Sequence, residues 1–398
     1  MRAGFQEIDN GRETDFYVIN TCTVTHRADA ESFNLMRRAK RENPKAKIIV
    51  TGCLTELDED KIKKIDNEAL IVKNKDKNRI LEILESRDSQ LITHKSQVIT
   101  FFKGHSRAFL KIQDGCNNFC SYCKVPLVRG ALKSKPINTI IPEANKLVKN
   151  GFKEIVLCGI CLGSYGKDLQ HRVNVVDAIE ALEGIEGLMR IRLSSIEAND
   201  VSDILIEKMA HSKKLCRHLH IPIQSGDNEI LKKMGRKCSR QDYLSLIQKI
   251  KSRLPEIAIT TDVLVGFPGE EEVNFKNTLD LIKEISPLKV HIFPYSPRQG
   301  TPAYNFKDRI SPVPIRERIL RLENIAKTYS FTYKKQFLNK DMDVLIEGHA
   351  KENKEYWAGY TDNYIKVLVK SDQNLKSHLV QVRLKKINED VSYGDLYL

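Results

Sequence analysis

The chain has 398 residues, enough for two or three domains with proper cores, and its 41% apolar and 29% charged content excludes a disordered chain. No stretch near the N-terminus has the apolar core of a signal peptide and no apolar run is long enough to span a membrane, so a cytoplasmic protein without a membrane partner is expected. The formal net charge is +13, and nearly all of the excess falls between residues 102 and 334, which points to a polyanionic partner such as nucleic acid.

Residues 15–22 read as a buried strand that ends in Cys22. A charged amphipathic helix is predicted over 27–42 and closed by Pro44, and a second strand runs over 47–53 to end in Cys53. Two strand–helix units of this kind predict a small parallel α/β domain over residues 1–95. Both cysteines then fall where their strands end, the edge at which such sheets collect ligands; the plainer reading makes them buried core thiols.

Residues 89–107 are polar and read as a linker. Next comes Asp114-Gly-Cys-Asn-Asn-Phe-Cys-Ser-Tyr-Cys-Lys-Val-Pro-Leu-Val-Arg-Gly130, with thiols at Cys116, Cys120 and Cys123 on one short loop. Cubane iron–sulfur clusters are normally held by four thiolates, and three leave one iron open to a substrate. A zinc site would need a fourth close Cys or His, and the nearest histidine, His105, precedes the loop. A redox C-x-x-C would use Cys120 and Cys123 and leave Cys116 unexplained. Nine cysteines without a secretion signal do not suggest a disulfide framework.

From residue 107 strands and helices alternate. Strands are predicted at 108–113, 154–160, 189–196, 218–225, 258–266 and 289–295, and helices at 138–150, 174–183, 200–211, 240–253, 271–285 and 313–330. Six such units over residues 102–334 predict a partial parallel barrel whose chemistry sits at the C-terminal strand ends. The cluster loop follows the first strand, and the other strand ends carry Gly159, Ser195, Gln224, Asp262 and Gly266. Such glycines and polar groups suit close approach to a ligand. His218 and His220 alternate along a strand and read as packing or hydrogen-bonding residues. Residues 335–398 show alternating apolar runs at 343–347, 364–369 and 379–384, a small all-β barrel, with Tyr356, Trp357, Tyr360 and Tyr364 as candidates for stacking on bases.

The C-x-x-x-C-x-x-C loop with its Val-Pro-x-x-Arg-Gly tail resembles the radical S-adenosylmethionine (SAM) enzymes, and among them the methylthiotransferases. The resemblance spans essentially the whole chain. It includes Asn20-Thr-Cys-Thr-Val-Thr, Thr51-Gly-Cys, Leu162-Gly-Ser-Tyr-Gly, Gln224-Ser-Gly, Gly266-Phe-Pro-Gly-Glu and Tyr295-Ser-Pro-Arg-Gln-Gly-Thr-Pro-Ala. It implies a [4Fe–4S] cluster on Cys116, Cys120 and Cys123 that binds and cleaves SAM. It also implies a second, auxiliary cluster, of which Cys22 and Cys53 would be two of three ligands. The family's first cysteine lies on a strand that would precede residue 1, so the auxiliary set is expected to be incomplete here, with an N-terminal segment missing. The strand-end residues become candidate SAM contacts, and Arg129 and Arg236 candidates for the SAM carboxylate or an RNA phosphate. Residues 335–398 resemble the TRAM RNA-binding module. The motifs favour the type that methylthiolates threonylcarbamoyladenosine beside the tRNA anticodon, a monomer served by a flavodoxin- or ferredoxin-like electron donor. One departure is Cys161, where that type usually has His; with Cys158 it makes a lone C-x-x-C, read as core plus substitution. Two rivals remain: a radical SAM enzyme without sulfur insertion, and an RNA-binding protein with a structural cluster.

Overall fold

The computed structural model describes residues 5–8, 13–85, 102, 104–170, 173–351 and 353–397. The predicted linker over 89–107 lies mostly outside them. The chain divides into two compact units, one formed by Met1–Val98, Cys116–Ala131 and Ser296–Asn305, the other by Ile99–Gly115, Leu132–Tyr295 and Phe306–Leu398.

The first unit is built on a parallel sheet in the order β1-β2-β3, with β1 at Phe16–Thr21, β2 at Lys47–Gly52 and β3 at Leu70–Val72. Helix α1 (His26–Glu42) starts where the Thr25 side chain accepts from the Ala28 amide, and Asn43 ends it just before Pro44. Ser32, Met36 and Ala39 form its buried stripe. Helices α2 (Glu59–Ile65), α3 (Ile80–Glu85) and α4 (Val125–Arg129) complete the unit. The central β2 is buried along nearly its whole length, whereas Val18 on β1 is 52% exposed. Strand β1 is therefore not the fully buried strand its apolar residues suggested, because it sits at a sheet edge.

The second unit begins with β4 (Arg107–Lys111), β5 (Gln113–Asp114), β6 (Lys133–Ser134), β7 (Glu154–Cys158) and β8 (Arg190–Leu193). It continues with β9 (His218–His220), β10 (Ala258–Val265) and β11 (Lys289–Pro294). Strands β4-β7-β8 and β9-β10-β11 make two parallel three-stranded sheets, and single bridges at Ile191/Leu215 and Ser195/His220 join them into a partial barrel. The outer layer is α5 (Ile137–Lys149), α6 (Val175–Glu183), α7 (Asp203–His211), α8 (Asn228–Lys233), α9 (Arg240–Arg253) and α10 (Glu272–Ile285), followed by α11 (Pro312–Lys335). One continuous apolar core lies between strands and helices. Strand β9 is far shorter than predicted: Pro222 offers no N–H, and Gln224 turns the chain at φ 74°.

A closed barrel in the order β12-β13-β14-β16-β15 ends the unit. Its strands are β12 (Asp341–His349), β13 (Tyr356–Thr361), β14 (Lys366–Lys370), β15 (Leu379–Ile387) and β16 (Ser392–Leu396). Strands β13 and β16 escaped the sequence pattern because glycines hold inward positions. A Cβ on Gly359 would lie 2.4 Å from the Leu345 carbonyl, and one on Gly394 2.4 Å from Val382 Cγ1. This barrel is fastened to the N-terminal ends of β4, β7 and β8. Glu154, 1% exposed, pairs with Arg192 at 2.7 Å, and Arg190 and Arg107 flank it at 3.8 and 4.0 Å. The same arginines donate to barrel carbonyls: Arg190 to Asp343 and Tyr360, Arg192 to Thr361 and Asp362.

That fastening uses two of the four aromatic residues expected to stack on RNA, Tyr360 and Tyr364, and a third, Trp357, packs within the closed barrel. Tyr364 stacks on His218 and on Tyr360, with the Arg192 guanidinium 4.6 Å from its ring. Trp357 is buried, stacks on His349 and donates to the Ser371 carbonyl. These rings serve packing, because a five-stranded barrel needs large side chains to fill and cap it.

Candidate active site

In the first unit the thiol loop is closed at its base by the Cys116 amide donating to the Gly130 carbonyl at 3.3 Å. Gly115 (φ 71°) and Phe119 (φ 49°) turn the backbone through left-handed conformations. For Phe119, a bulky side chain 68% exposed, that is an uncommon conformation. The turn brings amides onto sulfur: Asn118 N–H donates to Cys116 Sγ and Val125 N–H to Cys123 Sγ, both at 3.4 Å. Hydrogen bonds of this kind favour the thiolate and tune a cluster bound to it. All three thiols are partly exposed.

Cys22 and Cys53 belong to the same unit. The β1–β2 register pairs Thr21 with Gly52, so the two cysteines are the next residues along adjacent strands. Gly52 (φ 101°) is required there, since a Cβ would meet the Thr21 carbonyl oxygen at 2.3 Å. Cys22 is exposed and Cys53 buried. Arg129, on α4 just after the thiol loop, donates its Nε to Cys53 Sγ at 3.2 Å, and Asn74 donates to the Val128 carbonyl beside it.

Sequence reasoning passed over two cations of this unit. Arg298, 1% exposed, donates to the Thr23 carbonyl and hydroxyl and to Asp29, while its Nε and Nη1 are buried without a partner. Lys124, next to Cys123, is buried; burial and then the nearby Arg298 lower its pKa. The Tyr295-Ser-Pro-Arg298 motif held the only signal for the arginine. A buried lysine next to Cys123, a buried arginine with two unfilled donors, and thiols that accept backbone amides fit an anionic iron–sulfur centre.

The second unit carries the strand-end residues. Gly159 leaves room for Gln113, whose Oε1 would be 2.7 Å from a Cβ there and accepts the Cys161 amide. Gln224 donates its amide to the Asp262 carbonyl, and Ser195 is bridged to His220. Gly266 (φ 80°) donates to Glu270, a buried carboxylate paired with Arg318 at 2.9 Å. Asp262 lies 3.2 Å from His220 Nε2. Arg236 grips Glu197 with both terminal nitrogens and the Pro222 carbonyl with one, so any SAM or phosphate contact would compete with that pair. Cys158 and Cys161 do not pair: the first thiol faces the Val156 carbonyl, the second Ser164 and Asp200.

Residues 110–282 match the family described as "Radical SAM superfamily", and residues 1–73 match "Uncharacterized protein family UPF0004". The chain is 39% identical over 406 residues to the threonylcarbamoyladenosine tRNA methylthiotransferase MtaB of Bacillus subtilis, covering 98% of this chain and 90% of that protein. The chain belongs to the radical SAM methylthiotransferase family. Another member is the tRNA-2-methylthio-N(6)-dimethylallyladenosine synthase of Acetivibrio thermocellus, 36% identical over 400 residues that cover 96% of this chain and 83% of that one. The fold agrees with that of the radical SAM methyltransferase TsrM from Kitasatospora setae, solved with cobalamin and a [4Fe–4S] cluster. The TM-score is 0.56 at 13% identity, over 74% of this chain and 67% of that one. This methylthiotransferase is thus an enzyme of a superfamily that uses a [4Fe–4S] cluster and SAM. No helix among its described residues is long and apolar enough to cross a membrane.

Proposed function

We propose that this enzyme adds a methylthio group to C2 of N6-threonylcarbamoyladenosine next to a tRNA anticodon. The observation that carries the reading is the grouping of five cysteines in one unit, with Arg129 tying Cys53 to the helix that follows the thiol loop. C2 is an aromatic C–H without an acidic proton, so acid–base catalysis has no purchase on it. When bound, the cluster on Cys116, Cys120 and Cys123 supplies the electron that cleaves SAM, the chemistry the side chains lack.

The chain's own residues hold and orient. Amides of Asn118 and Val125 stabilise the thiolates, and Lys124 and Arg298 offset their charge. Cys22 and Cys53 serve the auxiliary, sulfur-bearing cluster, with Arg129 holding Cys53. Gly159, Ser195, Gln224, Asp262 and Gly266 form the wall that takes SAM and the target nucleoside, and the Arg236–Glu197 pair steadies the turn after Pro222. The domain limits fall at 1–95, 102–334 and 335–398. The basic excess between 102 and 334 draws in the tRNA; a flavodoxin or ferredoxin supplies electrons to a cytoplasmic monomer.

The test is anaerobic reconstitution followed by assay of iron, sulfide and product. Two clusters per chain and a methylthiolated nucleoside from tRNA bearing threonylcarbamoyladenosine are expected where Cys22 and Cys53 suffice to hold the auxiliary cluster. One cluster, with 5′-deoxyadenosine formed but no sulfur inserted, would refute sulfur transfer by this chain.

A further inference from the structure

On β10, Ile259, Val263 and Val265 face the helices, and so do Val290 and Ile292 on β11. The alternate residues Thr260, Asp262 and Leu264, with His291 and Phe293, therefore face the inside of the partial barrel. His220 joins them from β9, since the register sets Thr260 beside His220 and Asp262 beside His291. Ligand atoms of His220, Asp262 and His291 all lie within 4.8 Å of one another.

The hydrogen bonds here run in one direction. His220 Nε2 lies 3.2 Å from a carboxylate oxygen of Asp262, and since a carboxylate only accepts, the ring proton is assigned to Nε2. His220 Nδ1 then accepts from the Thr260 hydroxyl at 2.9 Å, and that oxygen accepts from His218 Nε2–H at 2.9 Å. The chain of donors ends at His218 Nδ1, which this assignment leaves as a bare lone pair and which is buried without a partner. Burial and Arg192 hold His218 neutral, as the assignment requires.

Two groups are left over. Asp262, with its side chain 24% exposed, retains acceptor capacity beyond its contact with His220. His291 touches His220 edge-on but makes no hydrogen bond among the described residues, and burial, then Lys289, lower its pKa. Neighbouring Phe293 is 44% exposed on the same face, so this stretch of wall is open to a ligand.

We propose that His291, with Asp262, reads the substituent on N6 of the target adenosine, Asp262 accepting from its N–H or hydroxyl groups and His291 bonding its oxygens. The inference rests on the substrate reading above. A threonylcarbamoyl group supplies one urea N–H of its own, a hydroxyl, a urea carbonyl and carboxylate oxygens. The dimethylallyl group named for other relatives supplies none, and would leave Asp262 and His291 desolvated and unpaired. Sites built to hydrogen-bond a group reject analogues lacking it far more strongly than apolar pockets do.

The experiment compares wild type, His291→Leu, His291→Gln and Asp262→Asn as the reconstituted full chain. Each is assayed on tRNA bearing threonylcarbamoyladenosine and on the same tRNA with plain adenosine at that position. With iron and sulfide content unchanged, His291→Leu is expected to lower kcat/KM on the modified tRNA by about a hundredfold, chiefly through KM, and His291→Gln to recover most of it. On plain adenosine, wild type and His291→Leu should be equally poor, because the group that His291 bonds is absent. Asp262→Asn should show the same dependence on the substituent. Equal losses on both tRNAs, or a change within about twofold on the modified one, would overturn the proposal, as would a stoichiometric non-cluster metal lost in Asp262→Asn. A wild-type enzyme with full clusters that acts on dimethylallyl-bearing tRNA but not on this one would overturn the substrate reading and this inference together.

Discussion

The two ends of the partial barrel carry the same kinds of residue in opposite states of satisfaction. At the N-terminal strand ends Glu154 is ringed by Arg107, Arg190 and Arg192, and the guanidinium groups of the last two are spent on it and on carbonyls of the closed barrel. Further along the strands, on the inner face, Asp262, His220 and His291 are partly exposed and their hydrogen-bonding capacity is only partly filled. A buried charge whose partners are all present holds structure; a polar group with capacity to spare waits for a ligand. The aromatic rings follow the same division: Tyr364 is sandwiched at the saturated end, while Phe293 is open on the inner wall.

The sharpest break between the two classes comes from cysteine. Cys120→Ala is expected to abolish reductive formation of 5′-deoxyadenosine from SAM. Cys216→Ala should leave that reaction intact, because burial at the saturated end pushes this thiol up to about 12 and out of use. Equal loss in both variants would erase the distinction.

Glu154→Ala should destabilise the fold by about 3–5 kcal/mol, since it takes the carboxylate from two buried cations, Arg190 and Arg192; chemical denaturation followed by circular dichroism measures it. Burial alone would raise the Glu154 pKa, but Arg192, then Arg107 and Arg190, hold it below the ordinary value. Its stabilisation is therefore complete above the unfolded carboxyl pKa and lost as pH falls through the depressed folded one. Glu154→Gln should flatten that acid limb, and an unchanged limb would show that other carboxylates carry it.

Gly52→Ala should cost about 1–3 kcal/mol, because a side chain at φ 101° meets the Thr21 carbonyl, and it should lower iron uptake at the auxiliary site more than at the thiol loop. The smallest effect is expected from Trp357→Phe, about 1 kcal/mol in stability with tRNA affinity unchanged. Lost tRNA affinity without lost stability would return Trp357 to the role of a base-stacking surface.

Local chemistry wrote itself into the chain. The spacing of Cys116, Cys120 and Cys123, the strand-ending Cys22 and Cys53, and the regular alternation of strands and helices were all legible, because each depends on residues close in sequence. Tertiary structure alone decided which side chains were already spoken for. Arg129 proved to reach Cys53, Arg236 to grip Glu197, and Tyr364 to lie between His218 and Tyr360, partners 76, 39 and 146 or fewer residues away. His291 carried no signal of its own, since one histidine on a strand gains meaning only beside Asp262 and His220. Whether a polar group is satisfied depends on neighbours that folding brings together, and no stretch of sequence contains them all.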